Sequence, residues 1–188
     1  MNLITNHGLE DTASDERLML ATGLGDLGAF EQLVRRYEKS AWNAAYRFLG
    51  DASEAEDITQ EAFLRILTAA RRYQPTARFQ TYLYRVVTRI CIDHSAKKKP
   101  LYSGRLPETP DHAHVPPNGM ADRERDRAIR SALDRLPPKQ RMTVLLKYFE
   151  GMRYADIAEI METSAKAVER LLARARETLQ QSLAPLLE

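Results

Sequence analysis

Lys166, Arg170, Arg174 and Arg176 stand close together near the end of a 188-residue chain, within KAVERLLARARETL (Lys166 to Leu179). A guanidinium presents a rigid fork of donors that fits a guanine edge, and either basic side chain can hold phosphate oxygens. The segment reads as a helix. Val168, Leu171, Leu172, Ala175 and Leu179 recur at helical spacing and form one apolar stripe. Lys166, Arg170, Ala173 and Glu177 fall on the opposite side, with Arg174 and Arg176 flanking them. Taken alone, such a helix is most often a surface helix with solvated charges. What precedes it shifts the balance. YADIAEIM (Tyr154 to Met161) is a second short amphipathic stretch that turns Ile157, Ala158, Ile160 and Met161 inward, and Thr163 or Ser164 can cap the helix after it. Two short helices across a tight connection, the second basic on its outer face, describe a helix-turn-helix, although this connection lacks the glycine often found there. A protein-binding helical hairpin is the main competing reading. On DNA, Arg170 and Arg174 would donate to base edges, and Lys166 and Arg176 would hold phosphates. Glu169 would accept from a cytosine amino group or pair with a neighbouring arginine.

A second constellation lies in the first half. Asp51, Glu54, Glu56, Asp57 and Glu61 cluster; after them come Arg65, Arg71, Arg72, Arg78, Arg85, Arg89 and the run Lys97 to Lys99. A basic surface carrying Tyr73, Phe79, Tyr82 and Tyr84 suits single-stranded DNA, because arginines hold the backbone while rings stack on bases at ~1–3 kcal/mol each. For Phe79 and Tyr84 a place in the core is at least as good a reading. The elements that must position these groups are helical. Asp15 to Thr22 starts one helix. Leu27 to Leu49 is a longer one with Phe30, Leu33, Val34, Tyr37, Ala41, Ala44, Ala45 and Phe48 inside. GDASEAED (Gly50 to Asp57) breaks the chain and restarts it, with Ser53 as the expected cap. Ile58, Ala62, Phe63, Ile66 and Leu67 supply the next stripe. YQPTARF (Tyr73 to Phe79) reads as a loop. From Gln80 to Ala96 a further helix buries Leu83, Val86, Val87 and Ile90 and shows Thr81, Arg85, Thr88 and Arg89 outside. Ile92 also points outward, and only a covering partner would account for it.

Net charge is only +2, from 28 basic and 26 acidic residues, so the distribution of charge carries the nucleic-acid argument and not the total. A single cysteine, Cys91, allows no internal disulfide and fits a reducing cytoplasm. The start has no basic segment followed by an apolar core, and no stretch approaches the ~20 apolar residues that span a bilayer. A cytoplasmic location without membrane insertion is expected. Between Lys97 and Met120 the text carries five of the nine prolines and little periodicity, which marks a linker. The expected fold is all-α: two small helical domains, residues 15–96 and 123–184, joined by a flexible linker over 97–122 and preceded by a tail over 1–14. His112 and His114 in the linker read as incidental. Cys91 and His94 are three apart on one helix, but two ligands do not make a site. No cofactor or metal is expected. Without a glycine-rich phosphate loop or a nucleophile–base signature, the chain does not read as an enzyme.

DITQEAFLRIL, then FQTYLYRVVTRICIDHSAKKK, then ALDRLPPKQRMTVLLKYFEGMRYADIAEIMETSAKAVERLLARARETL, in that order across a linker, resemble the bacterial extracytoplasmic-function sigma factors. The match runs from about Ala29 to Leu179. The resemblance implies a first domain, region 2, that binds the β′ clamp helices of core RNA polymerase and reads the minus-10 element. It implies a second, region 4, that reads the minus-35 element and touches the β flap. By position, Asp57, Gln60 and Glu61 would form the polymerase-binding face. The loop with Gln74, Thr76 and Arg78, with Phe79 at its edge, would capture a minus-10 base, and Thr81, Arg85, Thr88 and Arg89 would face promoter DNA. Arg170, Ala173 and Arg174 would read minus-35 bases, with Glu169 beside them, and Lys166 and Arg176 would hold the backbone. The family is usually held inactive by an anti-sigma factor. Tyr82 stands where members often have Trp, Arg170 where serine is common, and Lys166 where glycine or serine is common; these departures argue for a promoter of this chain's own.

The competing class is a stand-alone helix-turn-helix regulator, which has no need of DITQE beside a basic, aromatic loop and helix. Reach adds a constraint. Two promoter elements two duplex turns apart lie roughly 70 Å from each other. A coil of ~25 residues spans about 25–30 Å and reaches roughly 80 Å only when stretched. The free chain is therefore expected to keep its halves close, with its DNA faces partly hidden. Replacing Arg174→Ala should cost ~1–3 kcal/mol on the cognate minus-35 sequence, measured by titration of duplexes; equal losses on every sequence would reassign Arg174 to phosphate.

Overall fold

The computed structural model describes residues 13–97 and 128–184. Most of the expected tail, the expected linker from residue 98 onward with His112 and His114, and the opening residues of the second expected domain lie outside the described residues. Every described element is helical. The first group is α1 (Asp15–Gly23), α2 (Leu27–Leu49), α3 (Ala52–Ala69), a 3-10 turn (Ala70–Arg72) and α4 (Phe79–Lys97). The second is α5, described over 128–134, then α6 (Pro138–Tyr148), α7 (Tyr154–Ile160) and α8 (Ala165–Leu183).

Local chemistry sets most of the ends. Asp26 accepts the Ala29 N–H at 3.0 Å and starts α2. Gly50, at φ 77°, takes the left-handed conformation that ends the helix, and its N–H returns to Tyr46 O. At the start of α3 the cap is Asp51, which accepts from Glu54 N at 2.9 Å. Ser53, the residue expected in that role, already lies inside the helix. Asp51 keeps the extended backbone that a cap requires. Pro137 and Pro138 open α6, where a missing N–H costs nothing. Between α7 and α8, Glu162 adopts φ 50°. It takes the left-handed position usually given to glycine, and Thr163 N–H closes the turn on Ala158 O at 2.8 Å. Ser164 then caps α8 by accepting from Ala167 N at 3.2 Å.

In the first group α2 packs on α1, α3 and α4 around Leu33, Ala41, Ala45, Phe48, Ile58, Ala62, Ile66, Leu83 and Val87. In the second, α8 lies across α6 and α7, burying Val168, Leu172 and Ala175 against a core that includes Met142, Leu145, Leu146 and Ile157. The groups also pack on one another. α6 lies on α2 and α4, α7 lies across α4, and the buried side chains form one connected apolar cluster. Ile92, outward on the helical wheel of α4, is half-buried and packed against that cluster. The covering partner it required is found within the chain itself.

One contact in the first group allows only glycine. A Cβ on Gly23, at the end of α1, would stand 2.6 Å from the backbone oxygen of Ala70 in the 3-10 turn. Gly23→Ala should lower stability by about 1–3 kcal/mol, read as a lower thermal midpoint by circular dichroism. An unchanged midpoint would show that the α1–turn contact gives way freely.

Candidate nucleic-acid interface

On α8 the outer face is as the helical wheel implies. Lys166, Glu169, Arg170, Ala173, Arg174 and Arg176 are all exposed, while Val168, Leu172 and Ala175 are buried. Leu171 and Leu179, placed in the apolar stripe from sequence, are only half-buried. Leu171 instead joins Thr163, Ala167, Arg170 and Arg174 in lining a cleft of about 300 Å³ along the first turns of the helix. Ala173 leaves the middle of the face flat, as close approach to a groove floor demands. Arg176 reaches sideways to the Tyr148 hydroxyl at 3.4 Å. At the head of α7, Arg153 holds Asp156 through two hydrogen bonds of 2.9 and 3.0 Å. That hydrogen bonding keeps the Asp156 carboxyl below the usual carboxylate range, and the charge of Arg78 adds to the effect.

The loop ahead of α4 presents Gln74, Thr76 and Arg78 to solvent. Beneath it is an aromatic cluster: the Phe79 ring lies 5.3 Å from Tyr37 and 6.4 Å from Tyr82, and Tyr73 lies 5.4 Å from Tyr82, centroid to centroid. Phe79 is 0% exposed. Of the two readings that the sequence leaves open for Phe79, core and base contact, its burial places it in the core: the ring is part of the floor that supports the loop. Tyr84 is likewise buried. Burial also pushes the Tyr73 hydroxyl up to about 12, with the nearby Glu16 carboxylate adding to the rise.

The ridge of α4 divides. Arg89 is exposed and Arg85 half-exposed, but Thr81 and Thr88 are buried, Thr88 to 3%. Both threonines had been placed facing outward. A helical wheel knows only its own helix, and α4 is packed by α2, α3, α6 and α7. Arg85 pairs with Glu159 of α7 at 2.9 Å. Nearby, Glu150 from the second group enters the first, where it accepts from Arg47 at 2.9 Å and from the Tyr84 hydroxyl. Arg141 donates to the Phe48 carbonyl at 2.9 Å, and Arg130 lies over the Tyr46 ring at 5.1 Å.

On α3, Asp57, Gln60 and Glu61 are exposed on one side, away from buried Ile58, Ala62 and Phe63. Leu64, 63% exposed, stands one turn beyond Gln60 and Glu61 and gives that acidic face an apolar edge. Sequence reasoning had passed it over.

It also missed Glu16. The α4 entry, Pro75 to Phe79, offers no side chain at its cap position, which is Arg78. Glu16, from α1, accepts the Phe79 N–H at 3.0 Å instead. Asp15 beside it accepts from Arg36 at 2.8 Å and from the Tyr37 hydroxyl. Burial, followed by that hydrogen bond, raises the Tyr37 ionisation far above its ordinary value. The acidic start of α1 thus fixes where the loop leaves and α4 begins. The missing cap in QPTARF was the available signal, although it names no partner.

Known proteins of two kinds match. The family models "Sigma-70 region 2" and "Sigma-70, region 4" match residues 33–100 and 126–179. The ECF RNA polymerase sigma factor SigW of Bacillus subtilis is 31% identical over 85% of this chain and 91% of its own. Among solved structures, CnrH in complex with the cytosolic domain of CnrY has a TM-score of 0.71 at 24% identity, covering 92% of this chain and 99% of that one. The sigma factor RpoE of Bartonella quintana, solved with the anti-sigma factor NepR, has a TM-score of 0.64 at 18% identity, covering 82% and 96%. At these identities the two structures speak for the fold alone.

With Phe79 in the floor of the loop, Phe79→Ala should cost the DNA-free chain about 3–5 kcal/mol of stability, measured by chemical denaturation. A variant as stable as the parent would return the ring to a role outside the core.

Proposed function

The chain belongs to the extracytoplasmic-function sigma factors, and from that premise we propose how its surfaces divide the work of directing core RNA polymerase to promoters. The exposed side of α3, with Asp57, Gln60 and Glu61, docks on the β′ clamp helices. Carboxylates suit a basic partner surface, and Leu64 gives the contact an apolar anchor of the kind that carries binding energy. The loop with Gln74, Thr76 and Arg78, together with Arg85 and Arg89 of α4, engages the minus-10 element. Thr81 and Thr88 lie on the same ridge and join it once the second domain has moved off. The outer face of α8 enters the major groove at the minus-35 element. There Arg170 and Arg174 meet bases across the flat spot left by Ala173, Glu169 meets a base or a neighbouring arginine, and Lys166 and Arg176 meet phosphates. The region 4 domain also reaches the β flap. The observation that carries this reading is the pairing of the exposed DITQE face with a basic loop-and-helix in one domain and a helix-turn-helix in the other.

The chain supplies selectivity and no catalysis of its own, and it works in the cytoplasm with the polymerase. No described helix is long and apolar enough to cross a membrane. An anti-sigma factor is the expected inhibitor: the sigma factor RpoE of Bartonella quintana, with which this chain shares its fold, was solved bound to one.

The packed arrangement belongs to the chain before it meets a promoter. α7 lies between α4 and α8, so the two DNA-facing helices are separated by one helix, or roughly 20 Å at 8–10 Å per packing step. The promoter elements lie roughly 70 Å apart. Both cannot be held at once until the domains separate.

Co-elution with bacterial core polymerase on gel filtration tests the α3 assignment. The full chain should form a complex, and Asp57→Ala with Gln60→Ala should weaken it by about 2 kcal/mol or more while the helical signal stays intact. Unchanged affinity in the double variant would take the polymerase contact away from α3.

A further inference from the structure

We propose that Glu16 is a positioning residue for minus-10 recognition: from α1 it sets the mouth of the loop over residues 73–78, and with it how sharply that loop tells one base from another. The inference rests on the reading of the loop as the minus-10 reader and assigns the loop its support. The loop has little to hold it from within. Among the described residues its backbone closes on itself once, where the Thr76 N–H donates to the Gln74 carbonyl at 2.8 Å. Gln74, Thr76 and Arg78 are exposed, so their side chains add little packing of their own.

Both ends of the loop are fixed by α1 instead. Before the loop, the 3-10 turn meets the end of α1 so closely that a Cβ on Gly23 would stand 2.6 Å from the Ala70 oxygen. After it, Glu16 accepts the Phe79 N–H at 3.0 Å, in the role that the side chain of Arg78 does not fill. Glu16 and Gly23 belong to one helix, with a separation of roughly 10 Å at 1.5 Å per residue. A helix is stiff over that length, so α1 acts as a gauge across the mouth of the loop.

The gauge is itself anchored. Asp15, next to Glu16, accepts from Arg36 and from the Tyr37 hydroxyl on α2, and Leu18 and Met19 are buried in the core. The Tyr37 ring lies 5.3 Å from that of Phe79, so the two acids secure Phe79 from its backbone and from the ring beside it. Glu16 also lies near enough to Tyr73 to raise the ionisation of that hydroxyl, yet the hydroxyl is buried without a hydrogen-bond partner. The carboxylate goes to the backbone where α4 begins and leaves the hydroxyl unmatched. A loop already held in one shape loses less entropy on binding and discriminates more strongly. Charge alone would act with the opposite sign: a carboxylate beside a DNA-binding loop repels phosphate whatever the sequence, so its removal would tighten binding to every promoter.

The test uses the full chain bound to core polymerase and a pool of duplexes randomised over two segments about two turns apart. Sequencing of the bound fraction reads base preference at each segment. Glu16→Ala removes the acceptor, whereas Glu16→Gln keeps the reach and an acceptor oxygen without the charge. Glu16→Asp keeps the charge and shortens the reach, and it carries the test if circular dichroism shows the alanine variant unfolded. The expected result for alanine or aspartate is a minus-10 preference lower by about 5-fold, the scale of a lost helix cap, with the minus-35 preference unchanged. The glutamine variant should match the parent. An unchanged minus-10 preference, an equal loss at both segments, or tighter binding to every sequence would overturn the proposal. Gln74→Ala with Arg78→Ala, in the same pool, separates it from the reading beneath it. If that pair also leaves the minus-10 preference unchanged, the loop is not the reader; if the pair loses the preference and the Glu16 variants keep it, the role given to Glu16 alone falls.

Discussion

The carboxylate of Glu150 sets the terms for the way the domains meet. A charge taken out of water must find matched partners, or it costs more than the packing around it returns. Among the described residues Glu150 finds them in the other domain: the guanidinium of Arg47 on α2 and the hydroxyl of Tyr84 on α4. Arg47 lies in turn over the Phe149 ring, next to Glu150, at 5.0 Å. Tyr84 can do this because it is two-ended, with its ring in the apolar core and its hydroxyl at the joint. Burial, and then the bond to Glu150, hold its proton far above the ordinary tyrosine range, so the donor is in place at any pH the protein meets. With this point fixed, α6 lies on α2 and α7 falls across α4.

The near-neutral total charge conceals a sorted surface. Acidic Asp57 and Glu61 are exposed on α3, Glu61 beside its neighbour Arg65, and arginines are exposed on α8 and in the loop before α4. Where the two domains touch, the sorting continues across the joint: Arg85 faces Glu159, and the charge of Arg78 is felt by Asp156. Asp156 on the first helix of the helix-turn-helix therefore has two basic neighbours, its own Arg153 and the Arg78 of the other domain's loop, while Glu159 pairs with Arg85.

Much of this was legible in the sequence, and the limits follow from what periodicity can report. α2 was read at its full length because a long apolar stripe ends at a glycine able to adopt positive φ. The expectation that the halves stay close came from the short span of the linker as a coil, and α6 and α7 do pack on the first domain. The Ser53 cap failed because two good capping residues stand two apart and only the backbone decides between them. Thr81, Thr88 and Ile92 fall on the outer side of α4's wheel, yet a helical wheel knows only one helix, and in the fold the threonines are buried and Ile92 is half-buried. Phe79 was open between core and base contact, as an aromatic residue at a loop edge always is from sequence. Glu16 and Glu150 lay beyond reach for a further reason. Each acts on a group more than sixty positions away, and no local pattern marks an acid for such a partner.

The imperfect fit of the joint can be argued as a requirement. Glu159 holds Arg85 across the joint, so every unit of free energy in the closed form must be supplied again when the domains part. A joint with every donor matched would demand more than binding to polymerase could spare. A joint without Glu150 would leave the arginines of α4 open to any polyanion in the cell, since their attraction to phosphate is independent of sequence. Two ion pairs with partly exposed partners, set beside an unpartnered hydroxyl and an unpartnered Nε, lie between those extremes. Arginine suits such a joint because its planar fork donates to a carboxylate or a phosphate in the same way.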